Sequence, residues 1–345
     1  MKKCSSLLKT LMVLAFPLLP INLFAQDEVG NLLKSGPEDA GKLVNAYMSP
    51  LLKGFGVGLN SGWHNTATSK SFLRFDLRFT GTLAFVPAKD QTYDVKTLGL
   101  KNLSPVAGES GIGQTAFGEN TIGSRMQING APATSQFNLP KGTGLSFVPS
   151  PQVQLTVGLP KNIDISLRYV PEIKLSDEIG KIGMFGVGAK VEVLPIIMGK
   201  KDKLIPFDLA LAFGITRLNY SLPLNINNPN NSDQKVDVKI NGFNTEAIIS
   251  KKIAFFTPFA SVGYNSSNSR IKVLGTYEFD VPVTPSTPTG KQAFTNPINL
   301  KNDDISGLKA SVGFQLNLAV LRVYTSYTQA EYGYVNAGIG IGLGK

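Results

Sequence analysis

The fold class this sequence predicts is an antiparallel transmembrane β-barrel of about 12 strands (14 in the alternative count), all-β apart from a short N-terminal helix. Three observations predict it. Apolar and polar residues alternate over runs such as 72–85, 207–216 and 308–318. Such runs outlast the five or six residues of an average soluble strand and match the roughly 9–11 that cross a bilayer at a tilt. The connections between these runs are alternately short and long, as in barrels that cross an outer membrane. Charged residues make up only 17% of the 345, against roughly 25% in soluble domains, while 35 Gly and 20 Phe suit a lipid-facing wall around a crowded interior.

The first segment, 1–25, reads as a secretory signal. Lys2 and Lys3 precede an apolar stretch over 11–24, and Ala25 stands before the polar Gln26, Asp27 and Glu28, so cleavage is expected after Ala25. Cys4, the one cysteine, leaves with it, and so do Lys2, Lys3 and Lys9, which lowers the net charge from +10 to +7. A mature chain without thiols and with a single histidine excludes a disulfide scaffold and any multi-histidine metal centre. No later run of 18 apolar residues predicts a membrane helix.

Residues 26–53 follow as a helical segment. Gly36 and Pro37 with the acids Glu38 and Asp39 form a helix start. Leu43, Val44, Tyr47, Met48 and Leu51 then recur at helical spacing, and Pro50 is expected to stop the helix. This segment either plugs a barrel lumen or rests at its rim.

The barrel is expected over 54–345, with strands near 54–61, 71–86, 91–99, 143–159, 163–172, 181–196, 204–222, 235–250, 253–264, 304–318, 320–329 and 332–344. Short turns fall at 87–90, 160–162, 198–203, 251–252 and 319, and longer connections at 62–70, 100–142, 173–180, 223–234 and 265–303, with a short exception near Ala330. That parity puts both ends of the chain on the periplasmic side, with 270–280 as an arm of an outer loop. A strand pair hidden in 100–142 would make fourteen. Inward positions carry Arg74, Asp76, Arg78, Asp164, Arg168, Lys190, Glu192, Asp208, Lys309 and Arg322, six basic and four acidic. They are candidates either for a charged lumen lining or for a cross-strand ion-pair network stiffening a filled barrel. Gly54, Gly56 and Gly58, with Gly338, Gly340 and Gly342, are placed on the inward faces of the first and last strands, as a smooth closing seam. A phosphate loop needs a strand–turn–helix setting that these glycines lack.

Chemistry is sparse. His64 is the only histidine, and Ser61 and Ser69 beside it form no catalytic signature, so no enzyme is expected. Trp63 and His64 read as an interfacial aromatic with a polar tip. Asp280, Asp303 and Asp304 match no calcium-loop spacing, and neither metal nor cofactor is expected. The lysines at 200, 201, 203, 251 and 252 sit at short turns as solvated caps, which argues against nucleic acid.

The stretches around Gly54, Trp63 and Asn65, the turn from Phe85 to Asp90, and the run from Gly263 through Tyr264 to Ser269 resemble an uncharacterised family of outer-membrane barrels from Bacteroidetes-type bacteria. The helix ahead of a barrel is, in architecture alone, similar to the long-chain fatty-acid transporter (FadL) family. The ending Gly342, Leu343, Gly344, Lys345 departs from the terminal aromatic common to outer-membrane strands. The expected function is a channel or transporter for small or hydrophobic solutes in the cell outer membrane, its lumen narrowed by the helix. The alternative is a closed barrel that serves as a platform through loops 100–142 and 265–303. Expected partners are outer-membrane lipid, a small hydrophobic or polar solute and the assembly machinery, with the chain a monomer.

Overall fold

The computed structural model describes residues 36–131, 136–176, 180–224, 232–281 and 290–342; the expected signal, 1–25, lies outside them. A helix, α1 (Pro37–Asn60), comes first, with Pro37 in its first turn and Glu38 and Asp39 against the positive end of its dipole. It runs through Pro50 and then through Gly54, Gly56 and Gly58. The predicted stop at Pro50 and the predicted strand 54–61 are therefore both corrected: packing on all sides holds the helix past residues that would end it in water.

Ten strands follow: β1 (Phe75–Phe85), β2 (Phe147–Leu159), β3 (Ile163–Ser176), β4 (Gly180–Glu192), β5 (Asp208–Pro223), β6 (Ser232–Ser250), β7 (Phe256–Val281), β8 (Ile298–Leu318), β9 (Leu321–Gln329) and β10 (Tyr334–Gly342). Each pairs antiparallel with the next, and β10 returns to β1 from Asp76↔Gly342 to Ala84↔Tyr334, which closes the ring. A further strand, Gly290–Thr295, pairs only with the far end of β7 and stays outside the ring.

The barrel and its antiparallel closure are as the sequence predicts; the count is ten rather than twelve or fourteen. The two strands lost are 54–61, which is helical, and 91–99, which holds only Thr92–Asp94 and a tight turn at Val95–Thr97. No membrane pair hides in the described part of 100–142. Its strands, Leu103–Pro105, Ile112–Gln114, Arg125–Ile128 and Phe137–Asn138, are two to four residues long and form small sheets above the barrel. The predicted arm 270–280 is the continuation of β7.

Outward positions on every strand carry exposed apolar side chains, among them Phe75, Leu155, Ile165, Phe185, Leu211, Phe243, Val262, Val312, Tyr327 and Ile339. A belt of that extent cannot face water, whereas it matches a lipid-facing barrel wall. Inward at the same level are Thr, Ser, Gln, Asn and charges.

On the long strands this alternation changes sign. Along β5, Leu211, Phe213 and Ile215 point outward, and then Arg217, Asn219 and Ser221 take over the same face. The inward face changes in the opposite sense, from Ala210, Ala212 and Thr216 to Leu218 and Tyr220. β6 does the same beyond Phe243 and β7 beyond Tyr264. Below the crossover the wall is an inside-out membrane barrel; above it the strands enclose an apolar core like that of a water-soluble domain. The first sixteen residues of α1 lie in this upper vestibule, where Leu43, Val44, Tyr47, Met48 and Leu51 are buried against Phe117, Met126, Ile271 and Ile298.

The helix enters from the long-loop end. The Asp39 carboxylate accepts the Lys101 and Asn102 N–H groups at 3.0 and 2.7 Å, while the last described residue, Gly342, lies beside Asp76 at the short-turn end. The first and last described residues are thus at opposite ends of the barrel, and the chain crosses the lumen once before its first strand.

Candidate functional site

The inside of the membrane barrel is occupied by the last two turns of α1 and by the irregular segment 61–70. A helix this close to a ten-stranded wall has no room for side chains on two of its faces. A Cβ on Gly54 would overlap Val148 and one on Gly58 would overlap Ser150, both on β2, while one on Gly56 would overlap Ser267 on β7. Each glycine costs a helix about 1 kcal/mol relative to Ala, so the wall dictates them and the helix tolerates them. The residues placed on a first strand by their two-residue spacing are the narrow waist of a plug. On the true last strand, Gly338 and Gly340 do lie beside the neighbouring chain: a Cβ there would strike Phe79 and Thr80 of β1 and the Tyr324 hydroxyl of β9.

Below the helix, Trp63 fills the lumen. Its indole faces Gly188 on β4 and Gly214 on β5, which pair directly across the sheet, so that a Cβ on Gly188 would come within 2.7 Å of the ring. The Arg168 guanidinium stacks on the ring at 3.8 Å from its centroid. Trp63 is 1% exposed and Arg168 0%. The expected interfacial role of Trp63 and the placing of 62–70 in an outer loop are both corrected, since only inside the barrel does the indole find an apolar slot this size.

An irregular segment sealed away from water must have its backbone polar groups satisfied by its surroundings, and the wall supplies them. Arg168 donates to Leu59 O (2.9 Å), to Ser61 O (2.7 Å) and to Gln154 Oε1 (2.9 Å). Its cation thus sits on the orphan carbonyls at the negative end of the helix dipole. Arg78 and Gln154 both donate to Trp63 O, at 2.7 and 3.0 Å, and Gln152 donates to Gly58 O. Lys190 donates to Thr66 O (2.9 Å) and Thr68 O (2.8 Å), and is held by Asp164 at 3.0 Å. The acids take the N–H groups: Glu192 from Ser69, Asp164 from Lys70, with Asp208 accepting the Thr68 hydroxyl.

The remaining charges pair within the wall. Asp76 meets Arg322 at 3.0 Å and Arg78 at 3.5 Å, and Lys309 meets Glu246 at 3.2 Å. Of the ten inward candidates, eight are buried in this network. Asp208 is half-buried at its lower end, and Arg74 is exposed ahead of β1 at the short-turn mouth. Gln152, Gln154, Ser250 and Glu246 belong to the same set and were not singled out from the sequence, although their place on the polar faces of their strands was the available signal. Trp63 and 64–70 had no such signal.

His64 is buried, and its neighbours are already engaged. The Ser61 hydroxyl donates to Gly58 O and lies 2.6 Å from that of Thr82, and Ser69 donates to Asn162 O. Each of these serines therefore directs its O–H to a backbone carbonyl and not to His64. Among the described residues no group of His, Cys, Asp and Glu is placed to hold a metal.

At the long-loop end the helix start is tied down by charge. Lys101 meets Glu38 at 2.9 Å and Lys42 meets it at 3.1 Å. Hydrogen bonds from these two ammonium groups hold the Glu38 carboxyl below its ordinary range and raise Lys101 in turn.

The model of a family of unknown function, DUF6588, matches residues 1–343. No curated protein matches the chain. Among solved structures, the outer membrane protease OmpT from Escherichia coli is similar at 10% identity, covering 82% of this chain and 100% of that one, with a TM-score of 0.33. The translocator domain of the autotransporter NalP from Neisseria meningitidis covers 85% and 93% at 9% identity and 0.27. Ail, the attachment invasion locus protein of Yersinia pestis, solved with the heparin analogue sucrose octasulfate, covers 79% and 100% at 8% identity and 0.25. Likenesses this remote say nothing about activity.

Proposed function

We propose that this chain, which belongs to the family of unknown function DUF6588 over residues 1–343, is an outer-membrane barrel sealed by its own N-terminal segment, and that it works as a platform carrying a folded vestibule above the membrane. One observation carries the reading. Inward side chains of the membrane barrel, such as Thr82, Gln154, Ser166 and Asn336, are buried, whereas in an open pore they would line water. What fills the space is 54–70, held by charge-assisted bonds from four strands, β1, β3, β4 and β5.

The channel expected from the sequence would have to release those contacts at each opening and leave Arg168, Lys190 and Glu192 without their partners. Hydrogen bonds to charged groups contribute roughly 1.5–3 kcal/mol each, so a plug held by several of them is a fixed part of the barrel. Short turns at the opposite end support an outward-facing vestibule, since periplasmic turns are the short ones. Planar-bilayer recordings and liposome swelling test the seal. The wild type is expected to give no conductance and no solute uptake, and steady ohmic conductance in the wild type would refute it.

A further inference from the structure

Just above the apolar belt, three cations stand in one row. Lys239 of β6 is directly opposite Arg270 of β7, and Arg270 is directly opposite Lys301 of β8. All three occupy outward positions: Lys239 and Lys301 are exposed and Arg270 is half-buried, while the intervening Ile240 and Ile271 face the vestibule core. Cross-strand neighbours have Cβ atoms about 4.5–5.5 Å apart, and like charges placed so are destabilising unless something neutralises them. In this row the remaining cross-strand neighbour is Asn219, opposite Lys239, so no carboxylate is part of it.

The acids nearby are partly committed. Asp237, one row further out opposite Lys272, accepts the Ser221 hydroxyl at 2.6 Å and meets Lys235 at 3.5 Å. Asp303 lies in the row below, opposite Asn268. That lower row is a pair of amides between a cation and this acid: Arg217 donates to Asn241 at 2.8 Å, Asn241 donates to Asn268 at 2.9 Å, and Asp303 stands at the far end.

The levels are informative. On β6 the last outward apolar side chain is Phe243, followed by Asn241 and then Lys239. Four residues are about 13 Å along a strand, or roughly 9 Å of height at the usual tilt of about 45°. This puts the amide ladder at the polar boundary of the membrane and the cations above it, beyond the level of a phospholipid phosphate.

We propose that Lys239, Arg270 and Lys301 bind the phosphate of a phosphorylated glycolipid in the outer leaflet, with Arg217, Asn241 and Asn268 meeting its sugar hydroxyls. An anion on this row removes the repulsion of three adjacent cations, and the ladder beneath offers donors and acceptors at sugar height. The site rests on the outer-membrane half of the functional reading and not on the sealed lumen, so the two fail separately.

Native mass spectrometry of the full barrel in nonionic detergent tests it with three probes: a bis-phosphorylated lipid A disaccharide, its dephosphorylated form, and phosphatidylglycerol. The expected result is that K239Q/R270Q/K301Q weakens binding of the phosphorylated glycolipid about tenfold, equivalent to roughly 1.4 kcal/mol. Removing the phosphates weakens wild-type binding to a similar degree, and phosphatidylglycerol does not distinguish wild type from variant. The control K161Q/K251Q/K252Q, at the short turns, binds as wild type. Folding of both variants is checked by heat-modifiable gel mobility. Equal binding by the triple variant, equal binding of the dephosphorylated lipid, or the same losses with phosphatidylglycerol would each overturn the site. A wild type that binds none of the probes while remaining silent in bilayers would remove the lipid site and leave the seal intact.

Discussion

Arg168 does three things at once: it stacks on Trp63, neutralises the carbonyl end of α1 and orients Gln154. Truncation to alanine leaves three buried acceptors short of a donor, at about 1–3 kcal/mol each. It also removes the desolvation penalty of a buried cation, which offsets part of that loss. The net expected for Arg168→Ala is therefore about 2–4 kcal/mol of lost stability, read as a lower urea midpoint for the barrel in detergent. Arg168→Lys keeps the charge but lacks the planar fork that reaches both carbonyls and lies flat on the ring, so it should recover less than half. A lysine variant as stable as the wild type would mean that charge alone holds the plug.

Within α1 the glycines set local preference against tertiary fit. In an isolated peptide covering 37–60, Gly56→Ala should raise helicity, since alanine is favoured by about 1 kcal/mol. In the intact barrel the same change should lower the urea midpoint, because the new Cβ meets Ser267 on the wall. Circular dichroism of the peptide and unfolding of the barrel give the two signs. If both rise, the helix is not pressed against β7. The same three glycines explain a misreading of the sequence. Their spacing of two is the signature of a strand, and in a barrel the space available decides which residues are small, so the helical period is hidden at the waist. The helix start and the apolar set from Leu43 to Leu51 were legible because they pack in the vestibule by the ordinary rules of an amphipathic helix. Segment 61–70 was not, since many of its backbone bonds, at Ser61, Thr66 and Thr68 for example, are made by side chains from strands far along the chain.

For the molecule as a whole, the barrel was legible because lipid enforces a period of two on every strand. The inward charges were legible for the same reason, but their purpose was not, since the pattern does not tell a lining that faces water from one that faces a plug. The strand count missed by two at 54–61 and 91–99, where alternation was short and no partner strand could be read. The reversal of the alternation on β5, β6 and β7 was in the sequence too, and it marks where the membrane ends. It leads to a prediction about orientation. With Cys4 the only native cysteine, a membrane-impermeant maleimide should label Lys101→Cys on intact cells and Lys161→Cys only after permeabilisation; the reverse pattern would invert the barrel. The seal itself is read most directly through Trp63, the only tryptophan in the chain. Acrylamide quenching of its fluorescence in the barrel folded into lipid bilayers tests whether it sits in a closed lumen. A plugged barrel predicts quenching several-fold weaker than in the urea-unfolded chain, with blue-shifted emission; quenching as strong as in the unfolded chain would show that water reaches the indole and that the lumen is open.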